Sequence, residues 1–427
     1  MSPEASKLDY DSSSQASRRH FLKSAAALAL AGPALACGPD SGNKGGDSAA
    51  RSGKPRLLCV GTYSSPAGPE GSPGRGQGVY LFEMDPSNGA LTQRGLVENP
   101  RNPSWLALSP DKKHLYSGDE IHNYQGKRSG AVSSYSVDAS TGKIALLNTV
   151  SSEGDGPAHI SVHPSGRYAF VANYGGGSIA VLPIHSNGEL GSASDVHQDK
   201  GPLGPQHATS APPGNFAISG HDAPHAHMIE SDPSGKRVIS TDLGMDKILI
   251  WNIDLDKGKL TPNNPPSASA PPGDGPPHFM FHPNRRWFYC IQEEGSSIVV
   301  YDYASNGSLS QKQVLSTLPK GFVGTNYTSE IRISPNARFI YGANRLHDSI
   351  AWFSVGGDGK LSFAGEEWTR GDYPRSFTID PAGDFLYCCN QRADAITTFR
   401  INKQTGALTF TGQYTPVGTP ANVVFLT

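Results

Sequence analysis

Charge, sulfur and long apolar runs are all scarce in this chain. Asp, Glu, Lys and Arg make up only 17% of its 427 residues and the formal net charge is -2. No global field therefore draws it to nucleic acid or to an anionic membrane. The apolar run at residues 24–36 is shorter than the ~20 residues a bilayer-spanning helix needs. Hydrophobic content of 36%, diluted by 49 Gly and 34 Pro, is poor for long helices. It suits short strands joined by tight turns.

What the chain has is a repeat. Seven times a strand rich in β-branched and aromatic residues runs into a glycine turn, followed two residues later by leucine or isoleucine. The turns hold Gly89, Gly142, Gly188, Gly258, Gly307, Gly359 and Gly406, as in Asn306-Gly307-Ser308-Leu309. A unit repeated at this spacing cannot bury its own apolar faces, so neighbours must stack. A second marker, a proline turn between two strands, recurs at Pro110, Pro164, Pro233, Pro283, Pro335 and Pro381. Labelling the strands of each unit A to D, the proline turn links A to B and the glycine turn links C to D.

Seven C–D turns against six A–B turns are reconciled at the termini. The chain begins with a B-like strand, Leu57-Leu58-Cys59-Val60, and ends with an unmatched A-like strand, Ala421-Asn422-Val423-Val424-Phe425-Leu426. The expected fold is all-β: a seven-bladed β-propeller of four-stranded blades over residues 56–427. The C-terminal strand joins the N-terminal blade, closing the ring and hiding two sheet edges.

Cys59, Cys290 and Cys388 are expected at the same position of equivalent strands, and the neighbours Cys388 and Cys389 on opposite faces. Packed sheets lie about 10 Å apart, beyond disulfide reach, so these cysteines read as small buried apolar groups.

The N-terminus reads as an address. Ser17-Arg18-Arg19-His20-Phe21-Leu22-Lys23 matches the twin-arginine export pattern. Two processing routes fit residues 1–37: Ala34-Leu35-Ala36 is an A-x-A cleavage site, and Leu35-Ala36-Cys37 resembles a lipobox that would anchor Cys37 to lipid. Residues 38–55, rich in Gly, Ser, Asp and Lys, read as a flexible tether. The expected location is the periplasm or a membrane-anchored lipoprotein. No motif sets an oligomeric state.

One face of the disc carries generic A–B and C–D turns; the other gathers chemistry. Strand A entries include Pro157-Ala158-His159, Pro224-His225-Ala226-His227, Pro277-His278, Glu330-Ile331-Arg332 and Pro374-Arg375. The B–C loops include Asp119-Glu120, Asn173-Tyr174-Gly175-Gly176-Gly177, Gln292-Glu293-Glu294, Asn344-Arg345-Leu346-His347 and Asn390-Gln391-Arg392. Polar groups from several blades meet at such a mouth, where propellers take small ligands. A polar Pro/Gly-rich insertion at residues 188–222 is expected to cap it. The three glycines after Tyr174 open no helix, which excludes a nucleotide loop. His225 and His227 alternate on a strand and would not chelate together, and no carboxylate set with calcium-ligand spacing is present. No cofactor or metal is expected.

These strings resemble the bacterial propeller lactonases, the family of 6-phosphogluconolactonase and the fungal carboxy-muconate lactonising enzyme. Asn173-Tyr174-Gly175-Gly176-Gly177-Ser178, Pro224-His225-Ala226-His227, Asp242-Leu243-Gly244 and Asn344-Arg345 with His347-Asp348 carry the likeness. One departure stands out: Gly275-Pro276-Pro277-His278 lies where the family pattern has Gly-Pro-Arg-His. The resemblance implies a hydrolase opening a sugar-acid lactone. His227 and Glu293 would be the acid and base, with Arg345, Arg375 and Arg332 binding the anion or oxyanion. Asn173, Tyr174 and His347 would orient the substrate, with His159, His225, His278 and Glu330 as further contacts. Two alternatives remain open: a cycloisomerase acting on muconate-type diacids, and a non-catalytic cell-surface propeller that binds a ligand or partner.

Overall fold

The computed structural model describes residues 54–68, 73–138, 140–214 and 220–426. The export motif, Cys37 and all but the last two tether residues lie outside them. Seven antiparallel four-stranded sheets make seven blades. The first blade is composite: the final strand, Pro420–Phe425, pairs antiparallel with the first, Arg56–Thr62, with Cys59 opposite Val424 and Val60 opposite Val423. Pairing the chain's two ends covers the edge that each strand would otherwise expose.

Closure is also visible in the core. The described residues form seven apolar clusters, and each joins one blade to the next around the ring. One of them packs Leu58, Val60 and Phe82 of the composite blade against Phe385, Tyr387 and Cys389 of the last. Strand B is buried on both faces, which is why Phe339–Asn344 and Phe385–Asn390 contain no exposed position.

The glycine turns have a packing reason. Gly359 and Gly406 have φ of 86° and 76°, the left-handed region that side chains resist. A Cβ on Gly359 would also run into the Trp287 ring, and one on Gly406 into Phe339. Their carbonyls accept hydrogen bonds from buried tyrosines of the preceding blade: Tyr289 Oη donates to Gly359 O at 3.0 Å and Tyr341 Oη to Gly406 O at 2.9 Å. Tyr387 does the same to Gly89 O at 2.9 Å across the point of closure. Each such bond contributes about 1 kcal/mol and fixes how neighbouring blades sit.

The four described cysteines are free and buried. Their alignment is corrected at one position. Cys290 and Cys388 are equivalent and face the preceding blade, but Cys59 is one residue out of step. It packs toward the following blade beside Leu106 and Leu115. A shift of one residue turns a strand side chain to the opposite face.

Candidate active site

A simple rule builds the mouth. The last residue of each B strand is polar and fully buried, and the residue after it turns toward the axis. The last residues are Thr62, Asp119, Asn173, Asp242, Gln292, Asn344 and Asn390. The three asparagines pin their B–C hairpins. Asn173 Nδ2 donates to Ser152 O at 3.0 Å and Ser178 Oγ at 3.2 Å; Asn344 Nδ2 donates to Thr317 O at 3.0 Å and Ser349 Oγ at 3.1 Å. Of the seven residues that follow them, all but Leu243 line one cavity of about 340 Å³: Tyr63, Glu120, Tyr174, Glu293, Arg345 and Gln391.

The inner strands supply the rest through a bulge near their start. The register slips between Ala226 and Met228, between Pro374 and Ser376, and between Pro157 and His159. The extra residues are His227, Arg375 and Ala158, and all three line the cavity. A bulge re-aims the side chain it carries. Simple alternation along the strand does not anticipate this.

The charges are arranged in two pairs. On one wall, Arg345 Nη1 donates to Glu293 Oε1 at 3.1 Å, and the Arg345 guanidinium lies 5.6 Å from the Tyr373 ring. Among the described residues Glu293 Oε2 has no hydrogen-bond partner, and it sits 3.9 Å from His227 Nε2. Burial, then the nearby His278, Arg375 and Arg345, hold the His227 imidazole well below its ordinary pKa. It is neutral at pH 7 and able to accept a proton. On the other wall, Arg375 Nε donates to Tyr63 Oη at 3.1 Å, and Tyr63 Oη donates to Glu120 Oε2 at 3.1 Å. Ser104 Oγ donates to the same oxygen at 2.6 Å. Burial raises the Glu120 carboxyl, opposed by Arg375. Arg375 Nη1 is buried and has no partner among the described residues, a donor held ready for a ligand oxygen.

Beneath the cavity, aromatic rings close the axis. Trp105 packs on His159 and His278 with centroids 5.0 and 4.8 Å apart, and His227 meets His278 edge-on at 5.0 Å. His278 Nδ1 is 3.3 Å from Glu330 Oε1, and Arg332 Nη2 donates to Glu330 Oε2 at 3.2 Å. His159 and Arg332 line a separate chamber of about 360 Å³ that reaches Pro381, on the side of the A–B turns.

The residues expected at the mouth thus divide. His227, Glu293, Arg345, Arg375 and Tyr174 share the upper cavity. His225 stacks on Tyr174 at 4.4 Å, bonds its backbone oxygen at 2.8 Å and supports that ring from behind. His159, His278, Glu330 and Arg332 lie below, Asn173 is enclosed in its hairpin, and His347 is tied to Ser349 Oγ at 2.8 Å without lining the cavity. Tyr63, Glu120, His122 and Gln391 line it although the sequence does not single them out as site residues. Three of the four share one signal, their place immediately after a B strand. His122 is held by Asp155 at 2.6 Å. Among the described residues, no group of three or more His, Cys, Asp or Glu side chains is arranged to hold a metal ion.

Residues 57–425 match the family model described as lactonase, 7-bladed beta-propeller. The chain is 32% identical to a 6-phosphogluconolactonase of Bacillus subtilis over 371 residues, covering 86% of this chain and 97% of that one. It is 30% identical to a 6-phosphogluconolactonase of Yersinia pestis, covering 80% and 92%. Among solved structures, the periplasmic gluconolactonase of Pseudomonas aeruginosa superposes with a TM-score of 0.76 at 28% identity, covering 87% of this chain and 99% of that one. The chain belongs to the seven-bladed β-propeller lactonase family.

Proposed function

We propose that this protein hydrolyses a sugar-acid lactone in the upper cavity. The observation that carries the reading is the meeting of a neutral imidazole, a carboxylate oxygen without a hydrogen-bond partner and an unpartnered guanidinium edge in about 340 Å³. In the reaction, water adds to the lactone carbonyl while His227, beside Glu293, takes its proton. Arg345 fixes Glu293 from the other side. The oxyanion takes the free Nη1 of Arg375, a donor already oriented by Tyr63. Collapse breaks the ring C–O bond, and the proton returns from His227 to the leaving alkoxide. The product is the open hydroxy acid, which releases one proton to solvent at neutral pH.

The geometry favours hydrolysis over cycloisomerisation of a diacid, because Arg345 is engaged with Glu293 and leaves one guanidinium edge for an anion. A buried imidazole held below its ordinary pKa beside an open carboxylate oxygen argues against a purely binding role. We also infer export: the twin-arginine string at residues 17–23 and the periplasmic location in the name of the Pseudomonas relative support it.

The test follows proton release in a pH-stat with a panel of aldonolactones, comparing the purified protein with His227→Asn. Ring opening above the buffer rate, lowered on the order of 10²- to 10⁴-fold by the substitution, is the expected result. Turnover of muconates with none of lactones would favour the cycloisomerase; tight aldonate binding without turnover would favour the binder.

A further inference from the structure

Glu120 has no role in the acid–base step, yet it is built into the cavity wall with unusual care. It follows the strand His114–Asp119 directly and stands on the wall shared with Tyr63 and Arg375. Its Oε2 is saturated by Ser104 Oγ at 2.6 Å and Tyr63 Oη at 3.1 Å. Its Oε1 takes no hydrogen bond from the described residues, and the residue is only partly buried because it opens on the cavity. Two donors on one oxygen lock the carboxylate in place. The other oxygen, with its full acceptor capacity, faces the ligand space.

The charge around it is already balanced. Among the described residues lining the cavity, the carboxylates of Glu120 and Glu293 stand against the guanidiniums of Arg345 and Arg375, with no lysine and no third arginine. Arg345 serves Glu293, and Arg375 is the one cation left for a developing oxyanion. A substituent carrying two negative charges would meet Glu120 in a partly enclosed space where, among the described lining residues, only the His122 imidazole is left to answer it, and Asp155 already holds that ring at 2.6 Å. Hydroxyl groups suit such a carboxylate, each donating a charge-assisted bond. The proline at position 277, in place of the family's arginine, agrees with the same balance.

We propose that Glu120 is a specificity residue that accepts hydrogen bonds from the hydroxyls of an unphosphorylated, polyhydroxylated lactone and turns away lactones with an anionic tail. The proposal rests on the lactonase reading and narrows it to uncharged aldonolactones.

The experiment measures kcat/KM for D-glucono-1,5-lactone, its 6-phosphate and δ-valerolactone, which has the ring but no hydroxyls. Wild-type protein, Glu120→Gln and Glu120→Lys are compared, with thermal melts to show that each variant is folded. The wild type is expected to prefer the unphosphorylated sugar lactone to its 6-phosphate by at least about tenfold. Glu120→Gln is expected to lower the ratio of gluconolactone to valerolactone on the order of 10- to 100-fold, the value of a hydrogen bond to a charged group. Glu120→Lys is expected to shift preference toward the 6-phosphate. Equal or better use of the 6-phosphate by the wild type would overturn the proposal and leave the lactonase reading standing. So would a gluconolactone-to-valerolactone ratio that Glu120→Gln does not move. Failure to open any of the three lactones would sink the lactonase reading itself. If a variant does not fold, a wild type that uses the 6-phosphate equally well or better still overturns the proposal.

Discussion

Arg345 binds one oxygen of Glu293 at 3.1 Å and leaves the other free, 3.9 Å from His227. That gap is too long for a hydrogen bond and short enough to tighten when a substrate enters. Replacing Arg345 by Met should therefore release Glu293 as well as remove a charge. Steady-state kinetics should show kcat falling on the order of 10²-fold, with Arg345→Lys recovering only part of it because an ammonium lacks the planar fork. Full recovery with Lys would mean that charge alone matters.

His221 anchors the end of the insertion at residues 188–222. It lies between Asp246 Oδ1 at 3.1 Å and Glu294 Oε1 at 3.2 Å. Only the Asp246 contact has hydrogen-bond geometry; Glu294 acts as a neighbouring charge. Burial pushes the imidazole down, but the two carboxylates outweigh it and raise its pKa to about 10. A raised folded-state pKa stabilises fully below the unfolded value of about 6.5 and fades as pH rises through about 10. Burial raises the Glu294 carboxyl to about 7, so both carboxylates are charged only above that pH, and His221→Gln should cost about 3 kcal/mol near pH 7.5. In urea titrations the difference from wild type should shrink between about pH 7.5 and 10. A constant difference across that range would contradict a charged His221.

Gly359 is both left-handed and pressed against Trp287, whereas Gly357, two residues away, has open space within 4 Å of where a methyl would stand. Gly359→Ala should destabilise by about 2 kcal/mol or more, and Gly357→Ala should change little. Equilibrium unfolding of the two variants checks the pair. Equal effects would remove the packing account of the repeat.

Deleting the last strand, Pro420–Phe425, should leave Arg56–Thr62 as an open sheet edge. Size-exclusion chromatography should show aggregates in place of the wild-type peak. A stable six-and-three-quarter-bladed species at the wild-type elution position would show that closure is dispensable.

The ring is legible in the sequence because its periodic glycines answer two constraints at once, backbone sign and contact with a neighbouring blade. Asn173 shows where loop polarity misleads: it reads as a mouth residue, yet it is enclosed in its hairpin with its amide nitrogen spent on Ser152 and Ser178. Arg332 and His159 read as mouth residues too, because the length of an inner strand spans two chambers and sequence does not mark the aromatic layer between them. Tyr63 escapes notice because it belongs to the composite blade, whose A strand is more than 350 residues away in the chain. Cys59 lies in that same blade, where the repeat is hardest to align. Bulges decide the remainder, since the slip at Ala226/Met228 is what turns His227 into the cavity.

The most direct measurement is the pH-stat rate of D-glucono-1,5-lactone opening by the wild type and by Glu293→Gln, which preserves shape and removes the charge. The account predicts hydrolysis well above buffer, reduced on the order of 10²- to 10⁴-fold in the variant with the fold intact by circular dichroism. A rate equal to buffer, or one that the substitution leaves untouched, would contradict it.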